Sequence, residues 1–244
     1  MAASAPFSPK AITFFRQLAK NNRREWFQPR KPLFDEFVRG PMVELVSQIN
    51  DDFRKLAVDY VANDPAKVIY RVYRDTRFSK DKTPYKTHIG AHFQHKQIEK
   101  NRGGGFYFAI SHTGVEIAGG IYMPGPEELA AVRAAIAKKP AAFEKLVTQP
   151  AVVRKFGPLQ GDALSRVPKA YPPDHPAGEW LKKKQFYFFL NLDPSAALKP
   201  SLRKTIVDSF KLLMPTVSYF NDAVIAAMKT EAGDDRPKRP DPMF

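Results

Sequence analysis

Positive charge and aromatic rings are concentrated between residues 71 and 88, where the sequence reads RVYRDTRFSKDKTPYKTH. Six Arg or Lys residues stand there against two Asp residues. Guanidinium groups hold phosphate or carboxylate groups through paired hydrogen bonds, and ammonium groups add point charge. The pattern therefore predicts an anion-binding site. Its predicted members are Arg71, Arg74, Arg77, Lys80, Lys82 and Lys86.

The same segment also has a purely structural interpretation. Arg77 and Lys82 can pair with Asp75 and Asp81, and the short polar side chains of the loop can bond to local backbone. Pairing both carboxylates still leaves cations without a counter-ion, which favours the anion site over a structural motif. Both interpretations remain open from the sequence alone.

Aromatic side chains lie between these cations, and they suggest what kind of anion would bind. Tyr73, Phe78 and Tyr85 are predicted to form a rim that stacks on the bases of a ligand while the cations hold its phosphates. The leading hypothesis is therefore a protein that binds phosphate-bearing ligands or nucleic acid through this loop. We expect such binding to be strongly salt-dependent.

The alternative is an enzyme that acts on a phosphorylated or acidic small molecule. In that case Arg and Lys would hold the substrate, and His88, Asp75 or His175 would move protons. An enzyme of this kind predicts a deep pocket with convergent polar groups, whereas nucleic acid predicts an open groove.

Other reactive residues give weaker signals. His88, His92 and His95 would share a face only on a helix, and the alternation around them indicates a strand, so we expect no metal site and no cofactor. Glu116 lies in an apolar strand segment and could be a buried general base. A carboxylate that faces water or pairs with an Arg is the more common arrangement.

The loop must be positioned by a sheet, because strand-like runs surround it. Alternating or β-branched residues predict five strands, at residues 68–74, 89–93, 106–111, 115–122 and 185–192. The last is apolar on both faces, which is typical of a covered central strand. The tripeptide His-Thr-Gly between the third and fourth predicts a hairpin that turns at Gly114.

Helical periodicity dominates both ends of the chain. One helix is predicted to begin at Ser8-Pro9 and another at about Pro32, with a kink at Gly40-Pro41. Residues 126–138 and 141–147 predict two more, and two further helices close the chain on either side of Pro215. We therefore predict an α+β fold, a single domain with a mainly antiparallel sheet of about five strands and helices packed on it at both ends of the chain.

Composition limits the setting of this domain. The chain has 244 residues and a net charge of +14, and it has no cysteine, which excludes disulfides and thiolate chemistry. No apolar run is long enough to cross a bilayer, and no secretory signal is recognisable, so we expect a cytoplasmic protein with no membrane association. The domain is predicted to span residues 8–230, with flexible tails at 1–7 and 231–244. The sequence does not predict the oligomeric state.

Several longer motifs carry a family resemblance. NNRREWF, YRVYRDTRFSKDKTPYKTHIGAHF, GGGFYFAI, GGIYMP and RVPKAYPPDHPA followed by LKKKQFYFF together resemble the uncharacterised family called domain of unknown function 2461. The resemblance covers nearly the whole chain. It implies a single family domain, and it implies no activity and no catalytic residues.

Overall fold

A four-stranded antiparallel sheet forms the centre of the protein. The computed structural model describes residues 4–62, 64–99 and 102–233. The strands are β1 (His88–Gln94), β2 (Gly105–Ser111), β3 (Val115–Ile121) and β4 (Phe186–Leu192). They are neighbours in chain order, β1-β2-β3-β4, and each pair is antiparallel. The predicted α+β class is confirmed, with four strands where about five were expected.

The missing fifth strand is the segment at residues 68–74. It lies beside β1 but makes only isolated bridges, from Ile69 to Ala91 and from Tyr73 to Tyr85. From one bridge to the other, the segment runs four residues, from 69 to 73, whereas its partner runs six, from 85 to 91. A regular ladder cannot continue across that mismatch, and a bulge takes its place. The prediction of a regular strand at residues 68–74 was therefore wrong.

Helices precede and follow the sheet along the chain. Before it come α1 (Pro9–Lys20), α2 (Arg24–Phe27), α3 (Lys31–Phe34) and α4 (Gly40–Leu56). Between β3 and β4 lie α5 (Pro126–Lys138), α6 (Pro140–Val147), α7 (Pro150–Phe156) and α8 (Gly178–Leu181). The chain then forms α9 (Leu202–Gly233). Within the described residues, no helix is long and apolar enough to span a membrane.

Prolines shape two of these helices in different ways. A π-helical turn, Asp35–Arg39, leads into α4 at Gly40, close to the predicted kink. The predicted break at Pro215 was wrong, because α9 continues through it. Pro215 lacks an N–H group, but Leu213 and Val217 on either side are fully buried. Their packing keeps the helix continuous across the missing hydrogen bond.

The two faces of the sheet differ because side chains alternate along each strand. One face is buried under α4 and α9 and forms the core with rings such as Phe93, Phe106 and Phe108. We call the opposite side the open face. Its side chains are half-exposed or very small. They include Gly90, His92, Gly105, Tyr107, Glu116, Ala118, Gly120, Tyr187 and Phe189.

The predicted β2–β3 hairpin is confirmed, and Gly114 in its turn lies in close contact with the neighbouring strand β4. The Ser111 side chain accepts hydrogen bonds from the backbone N–H groups of Thr113 and Gly114, at 3.1 and 3.0 Å. A Cβ atom at Gly114 would lie 2.8 Å from the carbonyl oxygen of Leu192. Glycine is therefore needed here because β4 approaches closely.

The packed part of the chain extends beyond residue 8 toward the N-terminus. Phe7, which we predicted to lie in a flexible tail, is only 1% exposed and belongs to the core. At the other end α9 runs on to Gly233. The predicted tails at residues 1–3 and 234–244 lie outside the described residues.

A buried polar contact joins α9 to the entry of β2. The Asn221 side chain accepts a hydrogen bond from the Gly104 N–H at 2.7 Å and donates to the Gly104 carbonyl at 3.1 Å. It also donates to the Tyr60 hydroxyl at 2.8 Å. This one amide therefore satisfies backbone groups that have no access to water, and it fixes where β2 begins.

Replacing Asn221 with alanine should destabilise the protein by about 2 to 4 kcal/mol, because the buried Gly104 groups and the Tyr60 hydroxyl lose their partner. Urea unfolding followed by circular dichroism measures this change. Asp222→Ala, one residue further along the same helix and exposed, is the control and should change stability by less than about 0.5 kcal/mol. Equal effects of the two substitutions would contradict the role given to Asn221.

Candidate ligand-binding site

A cavity of about 830 Å³ opens on the exposed side of the sheet. All four strands contribute to it, and loops that follow β3 and precede β4 complete its wall. Its aromatic and polar lining consists of Tyr70, His92, Tyr107, Glu116, Tyr122, Gln160, Tyr187 and Phe189, together with Met123. Glycine and alanine residues complete the lining, at positions 103, 105, 118, 119 and 120.

The cavity exists because small residues stand opposite aromatic ones across the sheet. Gly105 pairs with Gly120, and Gly120 pairs with Tyr187 on β4. A Cβ atom at Gly105 would lie 2.6 Å from the Phe93 carbonyl oxygen, and Gly120 has a φ of +144°, which side chains rarely adopt. Larger residues at these two positions would fill the cavity floor or strain the strand.

Two groups of rings form opposite walls. On one side the Tyr70 ring lies parallel to His92, with centroids 6.5 Å apart, and 6.2 Å from Tyr107. Tyr107 leans over Gly90, where a Cβ would come within 2.8 Å of its hydroxyl oxygen. On the other side Tyr122 meets Tyr187 edge to face at 5.3 Å. Rings therefore line two sides of the cavity and offer stacking surfaces to a planar group.

Glu116 contributes the one carboxylate of the described cavity lining. Glu116 is half-buried, and burial raises the pKa of its carboxyl group. Burial, followed by the nearby Glu116 charge, also raises the pKa of the Tyr107 phenol. No residue in the described parts of the chain forms an ion pair or hydrogen bond with the Glu116 side chain. No Arg among the described residues pairs with Glu116, and its side chain is partly exposed to water and partly desolvated in the cavity.

One of the six predicted anion-binding residues, Lys86, contacts a ring of the cavity wall, and Arg71 is close enough to affect its charge, although neither belongs to the described lining. The Lys86 ammonium group lies over the Tyr70 ring, 5.0 Å from its centroid, and Tyr70 is part of the cavity wall. Burial, followed by the charge of Arg71, lowers the pKa of Lys86. Arg71 is exposed and directly follows Tyr70. Neither cation forms an ion pair with an acidic residue among those described.

Three other predicted cations are bound within the loop itself. Arg77 donates to both carboxylate oxygens of Asp75, at 3.1 and 2.8 Å. Arg74 bonds to Asp81 and Thr83. Lys82 donates to the Thr76 carbonyl at 2.9 Å. Asp81 therefore pairs with Arg74, and not with Lys82 as the structural interpretation expected.

The remaining predicted loop residues differ in exposure. Lys80 is exposed, Phe78 is 94% exposed at the loop tip, and Tyr73 is partly exposed. Tyr85, predicted to lie on the rim, is only 2% exposed and stacks on Phe27 with centroids 4.1 Å apart. Its ring is a packing element that no ligand can reach, and we remove it from the site.

The NNRREWF motif holds this loop against the rest of the domain. The Asn22 side chain donates to the Tyr85 carbonyl at 2.8 Å and accepts from the Tyr85 N–H at 3.0 Å. Two backbone hydrogen bonds continue this contact. The Arg74 N–H donates to the Pro84 carbonyl at 2.9 Å, and the Lys86 N–H donates to the Val72 carbonyl at 2.7 Å. These contacts fix the base of the loop and, with it, the position of Lys86 beside the cavity.

The three acid–base candidates do not line the cavity, as far as the described residues define it. The Arg77 fork lowers the pKa of Asp75 to about 2, which leaves it ionised at neutral pH. Burial, followed by Lys86, lowers the pKa of His88, so this imidazole is neutral there. His175 Nδ1 accepts a hydrogen bond from the Ala177 N–H at 3.0 Å within its own turn. The described residues also contain no group of three or more potential metal ligands.

Sequence analysis missed the aromatic half of the cavity. The segment QFYFFLNL was interpreted as a strand covered on both faces, yet Tyr187 and Phe189 are half-exposed on the open face. The signal that was present is the set of small residues within β2 and β3, namely Gly105 and Ala109 in GFYFA and Ala118, Gly119 and Gly120 in VEIAGG. Such residues next to a strand of rings leave space that no neighbouring side chain fills.

Fold and cavity define a single-sheet α+β protein with helices on one face and an aromatic cavity on the other. The chain belongs to the DUF2461 family, whose model, described as a conserved hypothetical protein, matches residues 10–219. The resemblance inferred from the motifs is thereby confirmed. No curated protein matches the chain, and no solved structure does.

The partly buried Glu116 carboxylate, which has no ion-pair partner among the described residues, predicts a particular pH dependence of stability. Because the folded-state pKa of Glu116 is raised, its charge destabilises the folded protein above that pKa, and this cost disappears as the pH falls through the raised value toward about 4.5, its ordinary value. Glu116→Gln should therefore stabilise the protein at pH 7, by no more than about 1 kcal/mol since the group is half-exposed. The difference between the two proteins should shrink below about pH 4.5.

Urea unfolding at pH 7 and pH 4 measures this difference. Glu144→Gln, at an exposed position on α6, provides the control and should show no stabilisation at either pH. A loss of stability in Glu116→Gln at pH 7 would mean that the carboxylate has a stabilising partner.

Proposed function

We propose that the protein binds a nucleotide unit, with the planar base in the open-face cavity and the phosphate at Lys86 and Arg71. The observation that carries the proposal is the position of the Lys86 ammonium group, 5.0 Å above the centroid of a ring that lines an aromatic cavity. Proteins that bind single-stranded nucleic acids place cations beside aromatic rings, because the bases stack on the rings and the phosphates pair with the cations.

The charge distribution supports binding at this edge of the cavity. Arg71 lies close enough to Lys86 that its charge helps to lower the Lys86 pKa, and no acidic side chain among the described residues forms an ion pair with either cation. Clustered cations bind an anion favourably, because the ligand relieves their repulsion. Arg74, Arg77 and Lys82 differ, since their internal bonds hold the loop in shape.

Binding is preferred over catalysis for a chemical reason. Among the acid–base candidates, Asp75 is bonded to Arg77 and His175 accepts a hydrogen bond within its own turn, while His88 lies outside the described cavity lining. An enzyme acting on a phosphorylated small molecule is the second candidate, favoured by the raised pKa of Glu116. Incubating the protein with nucleotides and following phosphate or base release distinguishes the two, because simple binding predicts no product.

The basic test is calorimetric titration with a nucleoside monophosphate, its nucleoside and inorganic phosphate. The proposal predicts that the monophosphate binds more tightly than either part, because base and phosphate occupy different portions of the site. A six-residue single strand and the matching duplex show whether the nucleotide unit comes free or within a polymer. Equal or undetectable binding of monophosphate, nucleoside and phosphate, with no binding of the strand, would contradict the proposal.

Lys86→Ala should weaken binding of the single strand and reduce its salt dependence. Two phosphate contacts predict a slope of about −1.4 for the logarithm of the binding constant against that of salt concentration, and one contact predicts about −0.7. Fluorescence anisotropy titrations between 50 and 200 mM salt measure the slope. The Debye length falls from about 14 to about 7 Å over this range. Lys145→Ala removes the same charge from an exposed position on α6 and should leave it unchanged.

Tyr122→Ala should weaken nucleotide binding about 5- to 150-fold, because one stacking ring contributes roughly 1 to 3 kcal/mol. Tyr122 is 63% exposed, so its loss should leave folding intact. Phe78→Ala is the matched comparison, as an exposed ring outside the described cavity lining. If Phe78→Ala reduced affinity and Tyr122→Ala did not, the loop tip and not the cavity would be the binding site.

A further inference from the structure

Glu116 is the only acidic residue of the described cavity lining. It lies on β3, across the sheet from Lys86 and Arg71, which we call the basic edge. Its carboxylate is half-buried and has no ion pair or hydrogen bond with the residues the structure describes. A partly desolvated carboxylate gains free energy from any N–H donor that reaches it, and bonds to charged acceptors are stronger than neutral ones. The cavity therefore favours a ligand that presents N–H groups at its inner end.

Opposite charges at the two ends of the site orient the ligand. Tyr70 pairs with the β1 edge through its N–H bond to the Gly90 carbonyl at 2.9 Å, and Glu116 lies on β3. Three inter-strand gaps of ~4.8 Å separate these backbones by about 14 Å. Lys86, above the Tyr70 ring, would hold the phosphate, while Glu116 would repel it. The base is thus directed toward Glu116.

We propose that Glu116 makes the site selective for guanine. Among the four bases, only guanine carries two neighbouring N–H donors on its pairing edge, at N1 and at the 2-amino group, and they match the two oxygens of one carboxylate. Adenine and cytosine place an acceptor beside their amino group, and uracil or thymine flanks one N–H with two carbonyls. An acceptor aimed at the carboxylate is repelled. This inference rests on the proposed binding of a nucleotide unit.

Nearby groups leave the carboxylate free to bind in this way. Across the strands Glu116 faces Ala109 and Asn191, and the small Ala109 leaves room above the sheet. Tyr107 is the neighbouring titratable group, and its raised pKa keeps the phenol neutral. Tyr107 and Phe189 lie on either side of Ala118 across the sheet and line the cavity. Their rings would contact the faces of the base, so that its edge meets Glu116.

The test compares guanosine, inosine and adenosine monophosphates by calorimetry with the full chain. Inosine differs from guanosine only by the missing 2-amino group, so one of the two donors is lost. We expect GMP to bind about 10- to 100-fold more tightly than AMP, with IMP between them. Glu116→Gln should abolish the difference in affinity between GMP and AMP, because it removes both the attraction for the guanine donors and the repulsion of the adenine acceptor. Glu144→Gln, exposed on α6, should preserve the preference for GMP.

The outcomes separate this inference from the proposed function. Equal affinities for GMP, IMP and AMP would overturn guanine selectivity and leave nucleotide binding in place. A preference for GMP that survives in Glu116→Gln would overturn the role of this carboxylate. Failure of all three nucleotides and of the single strand to bind would overturn both proposals. The comparison of GMP with IMP needs no variant, so it does not depend on how well Glu116→Gln folds.

Discussion

The antiparallel register of the four strands is the constraint on which the rest of the structure depends. It sorts residues onto two faces, so that Phe106 and Phe108 enter the core while Tyr107 between them points to the open side. A shift of one residue in β2 would exchange these sets and destroy core and cavity together. The buried amide of Asn221, bonded to both backbone groups of Gly104, fixes the residue at which β2 begins.

Packing and electrostatics divide the basic loop into two parts. Its tip is held together internally, since Arg77 forks onto Asp75 and Lys82 caps the Thr76 carbonyl. Its base is held by Asn22 and delivers Lys86 to the edge of the cavity. Among the described residues, Lys86 and Glu116 form no ion pair, and burial at or beside the cavity disfavours the charge of each. Such local costs are typical of binding sites in otherwise well-packed proteins.

Local patterns predicted the elements whose structure is decided locally. The helix at residues 126–138 matches its predicted bounds, because proline at its start and lysine at its end are signals within the helix. The segment at residues 68–74 has strand-forming residues, but its partner carries two extra residues between the bridges, which its own sequence cannot reveal. Pro215 fails as a helix breaker for a similar reason, because the deciding contacts come from the core.

The site was predicted only in part for the same physical reason. Lys86 and Arg71 could be predicted because they belong to a basic segment of the sequence. The packing of the Tyr85 ring against Phe27 could not be predicted in this way. Tyr187 and Phe189 follow Tyr107, on the opposite side of the cavity, by 80 residues or more in the sequence. Only strand pairing brings these rings together. Residues that meet across a sheet in this way are invisible to motif analysis.

Amide chemical-shift mapping by nuclear magnetic resonance during titration with guanosine monophosphate tests the central claim most directly. The account predicts that the largest shifts fall on open-face positions of β2, β3 and β4, including Tyr107 and Glu116, and on residues 70, 71 and 86. Shifts confined to the loop tip at residues 76–82, or to the helices on the opposite face, would contradict it.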